Sequence, residues 1–303
     1  MKLIFSSAFA IAFLFISSLG FAQNQINLDL NHSFNDQALV YGQIYTSSQG
    51  KSLEFSRVRY YLSSFEIVHD GGQLTVLDEV YVLAHGNISS YDLGSYNIDV
   101  VEKLRFDVGV DYDANHGNSN AFSPLHPLGP QAPLMDWGWP SGYFFFDLNG
   151  AIDDNEDGEP NSNFEFRGFG DDLLTAVELN FNSAANSGQI DLSVQVFLDR
   201  WIGLLDLDVI GINHGNTQAH NTYMQNTTSN NVFVTGIAAS ASSLQTPSYI
   251  HVDYSMSYAP VLSYKLADKQ TYSISVYDMS GRVVYQDKNL NHEGNYFILK
   301  ELN

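Results

Sequence analysis

Period-two alternation runs through most of the chain. Leu104, Phe106, Val108 and Val110 alternate with polar or small residues, and so do Ile190, Leu192, Val194, Val196 and Leu198. Val177, Leu179 and Phe181 repeat the pattern. Apolar residues at every second position mark strands with one face buried and one face wet, as in antiparallel sheets. The run from Leu53 to Val68 changes phase: Leu53 and Phe55, then Val58, Tyr60 and Leu62, then Phe65 and Ile67. Each slip moves the apolar set to the other face, so it predicts a bulge or a break into two strands. Asp70-Gly71-Gly72 predicts a hairpin turn. Helix signals are few: a turn or two within Asp199 to Leu207, and a helix from Thr217 to Asn226 with Thr217 as its N-cap. Many short strands separated by Gly, Asn and Asp point to an all-β fold, an antiparallel two-sheet sandwich.

The pattern divides the chain into four segments. Residues 1–22 are basic at Lys2, apolar from Leu3 to Leu19, and end in Gly20-Phe21-Ala22, with small residues where a signal peptidase would cut before Gln23. This predicts a secretory leader; the competing reading, a membrane anchor, suits the short run and its cleavage pattern less well. No later stretch is long and apolar enough to span a bilayer. The sandwich is expected over 23–237. A small, polar break, AASASSLQTP, covers 238–247. Alternation resumes in 248–303, at Tyr272, Ile274 and Val276, then Val283 and Tyr285, then Tyr296 and Ile298, which predicts a small C-terminal β-module.

Composition narrows the setting. There is no Cys. An exported chain without disulfides must be stabilised by core burial or by metal. The formal charge is −21; without Lys2 the 13 basic residues become 12 against 34 acidic ones, so the chain after the leader carries −22. That charge argues against nucleic acid and anionic membrane surfaces as partners. Motifs for hydrolases and nucleotide binding, G-x-S-x-G, H-E-x-x-H or a Gly-rich phosphate loop, are absent, and the expectation is a protein that is not an enzyme.

The densest chemistry lies between Pro124 and Gly150, PLHPLGPQAPLMDWGWPSGYFFFDLNG. Four Pro precede Trp137, which excludes a regular helix or a central strand there. From Tyr143 to Leu148 the residues favour a buried strand. Trp137 and Trp139 are candidates to bind a cofactor, or else they plug the core. His116 and His126 flank the loop that leads to Trp137, while His214 and His220 share the loop GINHGNTQAHN. If these loops gather at one end of the sandwich, four imidazoles and the Met135 thioether meet the Trp pair, a donor set that suits copper. If they do not, the histidines are simply polar loop residues. His32, His69, His85, His251 and His292 are expected at the surface. Asp153, Asn155 and Asp157 imitate the first half of a calcium loop, but Phe164 stands where the bidentate carboxylate belongs, so a solvated acidic turn is expected.

Three blocks resemble the MbnP-like copper-binding family: RYYLSSFEI at 59–67, FDVGVDYDAN at 106–115, and HPL…M-x-WGW-x-SGYFFF between His126 and Phe146. The resemblance extends through FEFRGFGDD at 164–172 and INHG at 212–215. It implies an exported β-sandwich that holds copper. In related methanotroph proteins one Trp is oxidised to kynurenine, which joins two His at the metal, and a dihaem peroxidase-like partner carries out the oxidation. By this resemblance His126 and His214 are the first candidate ligands, with His116, His220 and Met135 behind them. Trp137 is the residue expected to become kynurenine, and Trp139 the one expected to pack. Two positions depart from the pattern: members often carry His where this chain has Asp136 before WGW, and His where it has Arg167. A charged guanidinium cannot ligate a metal.

The final stretch, TYSISVYDMSGRVVYQDKNLNHEGNYFILK, resembles the C-terminal sorting module of type IX secretion cargo, most clearly in ISVYDMSGRVV at 274–284. The turn Asp278 to Gly281 would join two strands, and the last strand is Tyr296 to Lys300 or absent. This implies the type IX machinery as a partner and a periplasmic, outer-membrane-surface or secreted location. The leading function is copper binding or copper handling. The alternative is a cell-surface adhesin or ligand-binding sandwich that has lost the metal.

Overall fold

A computed structural model of the chain describes residues 23–236 apart from Trp139, together with the strands Tyr249–Asp253, Val261–Lys265, Tyr272–Tyr277, Val283–Leu290 and Glu293–Phe297. The leader, the 238–247 break and the 278–281 turn lie outside the described residues, as do His292 and the role expected of Trp139. The principal strands are β1 (Asn24–Phe34), β2 (Ser52–His69), β3 (Ser90–Tyr96), β4 (Val100–Val108), β5 (Phe144–Ile152), β6 (Ser162–Phe169), β7 (Thr175–Ala184), β8 (Gln189–Phe197), β9 (Ile212–Gly215) and β10 (Phe233–Thr235). The helix α1 spans Gln218–Ser229.

These strands form a sandwich of two sheets. The smaller runs β10-β8-β1, with β3 also on β1, and the larger runs β7-β4-β2-β5-β6-β9. Most pairings are antiparallel, but β1–β8 and β6–β9 are parallel, so the sheets are mixed rather than purely antiparallel. The β1–β8 register explains how parallel pairing serves the core. It sets Ile26 beside Ile190, Leu28 beside Leu192 and Leu30 beside Val194, all buried. Residues of equal parity on parallel neighbours share a face, so two alternating strands make one apolar surface.

The phase slips in β2 are bulges within one continuous strand. Its pairing with β5 shifts between Phe55 and Arg57, and its pairing with β4 shifts between Ser63 and Glu66. Ser64, inside the second slip, has φ 54°. Asp70, Gly71 and Gly72 all have positive φ and turn β2 back onto Gln73–Val76, with His69 opposite Gln73.

Aromatic side chains join the sheets. Tyr60 of β2 packs on Trp201 at 4.9 Å between ring centroids and on Phe233 at 5.9 Å, while Phe106 meets Phe233 at 5.4 Å. Trp201 is fully buried and stacks on Tyr223 of α1 at 4.8 Å. Burying each such side chain contributes on the order of 1.5–3 kcal/mol. Thr217 is the residue before α1, and the backbone N–H of Thr217 donates to His220 Nδ1 at 3.0 Å, so His220 closes the first turn.

The expectation that His32, His69 and His85 are superficial is corrected. His32 is buried and shares a hydrogen bond with Tyr60 Oη at 2.8 Å. His69 is buried between Asp70 and Thr75. His85 is half-buried beside Arg59, its register partner. Burial pushes the imidazoles of His32 and His85 down to about 3. His251 falls in the strand Tyr249–Asp253. The acidic turn is tied down by one of its own carboxylates: buried Asp153 accepts the backbone N–H of Gly158 at 2.7 Å, and Asp154, Glu156 and Asp157 stay exposed.

In the C-terminal part, Val261–Lys265 pairs with Tyr249–Asp253 and with Glu293–Phe297, and Tyr272–Tyr277 pairs with Val283–Leu290. The described strand Glu293–Phe297 includes the first two residues of the expected Tyr296 to Lys300, and the remainder lies outside the described residues. No helix among the described residues is long and apolar enough to cross a membrane.

Candidate functional site

The Pro-rich segment leads into a tight loop that lifts Trp137 off the sheet. Asp136 and Tyr143 face each other across an isolated bridge. Trp137 N–H donates to the Gly142 carbonyl at 2.9 Å. Gly142 has φ 70°, and a side chain there would come within 2.6 Å of the Asn115 backbone oxygen, so only glycine fits. Asn115 is buried and accepts the Tyr143 N–H at 2.8 Å, which ties the loop to the short helix Tyr112–Asn115. The Asp136 carboxylate accepts the Gly138 N–H at 2.7 Å and the hydroxyl of Ser119. It works as a loop anchor.

Trp137 is 52% exposed. Its ring rests on Phe144 at 4.9 Å, on Phe169 at 5.6 Å, and edge-to-face on His214 at 5.3 Å. Two strand ends create this grouping. Phe144 begins β5, Phe169 ends β6, and His214 sits on β9, the edge strand that runs parallel to β6. His214 Nε2 is buried, lies 2.7 Å from Glu165 Oε1, and makes no aligned hydrogen bond. Arg167 Nη2 reaches the same Glu165 oxygen at 3.0 Å. The Arg167 guanidinium also lies over the Phe144 ring, 5.3 Å from its centroid.

Beneath this surface lies a charged centre that alternation did not predict. Asp147 of β5 is fully buried. It receives Arg57 Nε at 2.8 Å, Arg59 Nη2 at 2.6 Å and Arg167 Nε at 2.9 Å. Arg59 also donates to the Pro133 carbonyl at 3.0 Å, which ties the Pro-rich loop to β2. Burial alone would raise the Asp147 carboxyl, but the charges of Arg59, Arg57 and Arg167 outweigh it and hold the group well below the usual carboxylate range. The missed signal was charge inside apolar strands: Arg57 and Arg59 interrupt the most hydrophobic run, and Asp147 follows three Phe. Buried charges persist only when paired.

The remaining candidates occupy separate settings. His126 is half-buried, stacks on Phe122 at 4.4 Å, and accepts the Leu128 N–H on Nδ1 at 3.1 Å. Burial lowers its imidazole. His116 pairs with Asp171 at 2.8 Å and packs on Tyr112. His220 is buried against Phe166 at 4.5 Å, and burial lowers its imidazole too. Met135 is fully buried in the core. Of the predicted ligands, His214 alone is in ring contact with Trp137. Among the described residues no group of three or more His, Asp or Glu is arranged to hold a metal.

The His214–Glu165 pair supplies two donors, one imidazole and one carboxylate, and Arg167 shares the carboxylate. An imidazole and a carboxylate suit cupric copper. Nε2 and Oε1 are 2.7 Å apart, the distance of a histidine–carboxylate pair, and no third ligand joins them among the described residues.

Comparison with known proteins follows the same region. The family model described as MbnP matches residues 23–227. The solved structure "MbnP from Methylosinus trichosporium" is similar over 64% of this chain and 82% of its own, at 13% sequence identity and a TM-score of 0.47. No curated protein matches the chain.

Proposed function

The chain belongs to the MbnP family, and from that membership we propose that it is an exported copper-handling protein. The observation that carries the proposal is His214 in ring contact with an exposed Trp137, its Nε2 2.7 Å from Glu165. His214 and Glu165 would hold the ion, and Trp137 would cover it. Oxidation of Trp137 to kynurenine by a dihaem peroxidase-like partner would add a third donor. The unmodified indole is a poor ligand, so protein made without that partner binds copper weakly. The role is binding and delivery, without enzymatic turnover. Residues 1–22 support export, and the ISVYDMSGRVV stretch supports sorting of the chain by the type IX machinery.

One observation favours the second reading, a surface sandwich without metal. Asp136 and Arg167 are both committed to structural partners, Ser119 and Gly138 for the first, Asp147 and Glu165 for the second. Metal content and intact mass of protein from its native host separate the two. Copper together with an oxidised Trp137 peptide supports handling of the metal. Metal-free protein with intact Trp137 supports the adhesin or ligand-binding sandwich. A truncation at Ser240 that still reaches the cell surface would remove the sorting role of 248–303.

A further inference from the structure

We infer that a cavity at the opposite end of the sandwich from Trp137 is a binding site for an alkylammonium group, with the Asp199 carboxylate as its counter-ion.

The cavity has a volume of about 100 Å³. Three strand ends frame it. Phe34 closes β1, Leu53 lies at the start of β2, and Ile152, the register partner of Leu53, closes β5. Phe144, which supports Trp137, begins the same β5. The nine residues of β5, at about 3.3 Å per step, put roughly 26 Å between the two places. The remaining wall is the chain from the short helix Leu198–Ile202 to Leu207, which includes Asp199. The turn at 47–49 is clasped to this wall. Ser48 Oγ donates to the Gly203 carbonyl at 2.9 Å, and Gln49 Nε2 donates to the Leu204 carbonyl at 3.0 Å.

Charge and hydrogen bonding select the ligand. Asp199 is half-buried, and its Oδ1 is sealed from solvent without a hydrogen-bond partner. A carboxylate oxygen in that position is costly, and a donor that reaches it removes the penalty. Nearby cations are committed elsewhere. Lys51 Nζ binds Asp208 at 2.6 Å. Arg200 lies over the Phe197 ring at 3.7 Å and donates to the Asn231 carbonyl. The amide donors of the lining are committed too: besides Gln49, Asn35 Nδ2 donates to the Thr46 carbonyl at 2.7 Å. What the lining offers an incoming group is a carboxylate acceptor and apolar walls at Phe34, Leu53 and Ile152, all buried. A cationic donor on a short apolar stem matches both, and an anion is repelled. A cavity of about 150 Å³ holds benzene, so this smaller one suits a stem of about three or four carbons. The formal charge of −21 draws cations to the surface from which the group enters.

The experiment is a titration of the full chain with n-butylamine at neutral pH and constant ionic strength, followed by calorimetry and by amide NMR shifts. The parent should bind saturably, with shifts gathered at 47–49 and 199–205, and n-butanol, which has the stem without the charge, should not bind. Asp199→Asn keeps the shape and removes the charge, and should weaken n-butylamine by roughly tenfold or more. If that variant does not fold, Leu205→Phe, which occupies the cavity and leaves the carboxylate, should give the same loss. Nα-acetyl-lysine amide separates the two sources of the group. Its binding at the same residues assigns a lysine side chain, and its exclusion while n-butylamine binds assigns a free amine. A parent without saturable binding, n-butanol binding as tightly as n-butylamine, or a folded variant that binds like the parent would overturn the inference.

Discussion

Glu165 and His214 approach each other across β6 and β9 to 2.7 Å, through an imidazole nitrogen that is buried and has no aligned hydrogen bond. Arg167 reaches the same Glu165 oxygen at 3.0 Å, so one carboxylate is shared between an imidazole and a guanidinium. In this protein it is also the point where an exposed indole, a half-buried histidine and a chain of charged groups leading to Asp147 come together. The chemistry at the surface and the electrostatics of the interior share one carboxylate.

Asp147→Asn should be among the most damaging single changes in the chain. The amide keeps the shape of the carboxylate but leaves Arg57, Arg59 and Arg167 without their common counter-ion. Breaking a buried ion pair from one side costs about 3–5 kcal/mol. Chemical denaturation should show a lower midpoint with an unchanged slope. A loss under about 1 kcal/mol would mean that the three guanidiniums find other partners.

Acid should destabilise the protein through His32. Folded His32 titrates at about 3, whereas an unfolded histidine titrates at about 6.5. Between these values the unfolded chain binds a proton that the folded chain does not. The stabilisation is therefore complete above about pH 6.5 and falls as pH drops toward 3, by about 1.4 kcal/mol per pH unit. His32→Gln should flatten the dependence of unfolding free energy on pH in this window. An unchanged slope would assign the effect to other groups.

Trp137 and Trp201 should separate cleanly by role. Trp137→Ala removes a half-exposed ring from the surface and should cost well under the loss from Trp201→Ala, which empties the core between Tyr60, Tyr223 and Phe233 at about 3–5 kcal/mol. Thermal unfolding of the two variants measures the difference. Emission from Trp201 should lie to the blue of that from Trp137, because water reaches only the latter.

Copper binding should depend on His214 and Glu165 and be indifferent to His126 and Met135. His126 is stacked on Phe122, and Met135 is sealed in the core. Met135→Leu conserves volume and should cost less than about 1.5 kcal/mol without altering a Cu(II) titration. His214→Ala should abolish the titration. A His126→Ala variant that loses copper as well would place the metal elsewhere on the sandwich.

The fold was legible where side-chain period carried it. Ile190 to Val196 and Leu104 to Val108 alternate along the strand and are buried along the strand, and the slips after Phe55 and Leu62 became bulges. The parallel β1–β8 and β6–β9 pairings were not legible. Period two is the same in both directions, and direction depends on how distant segments meet. The site was half legible. Trp137 and His214 stood out as rare, functional residue types and do meet. Glu165 lay inside FEFRGFGDD without a role of its own, and Arg167 was read only as a departure from a pattern, because pairing between them and with Asp147 arises from a register that no local signal contains. His126 was drawn in by its nearness to Trp137 along the chain, yet the Pro-rich loop carries it to Phe122 and Tyr81.

The parallel pairing of β1 with β8 has a consequence for how the chain folds. Asn27 hydrogen-bonds Asp191 at 2.8 Å across a separation of 164 residues. The strand that comes first must wait, unpaired on that side, until almost the whole sandwich has been delivered. Closing so long a loop before any reward in contacts slows folding. The smaller sheet therefore closes late, after most strands of the larger sheet have already been delivered and can pair with one another.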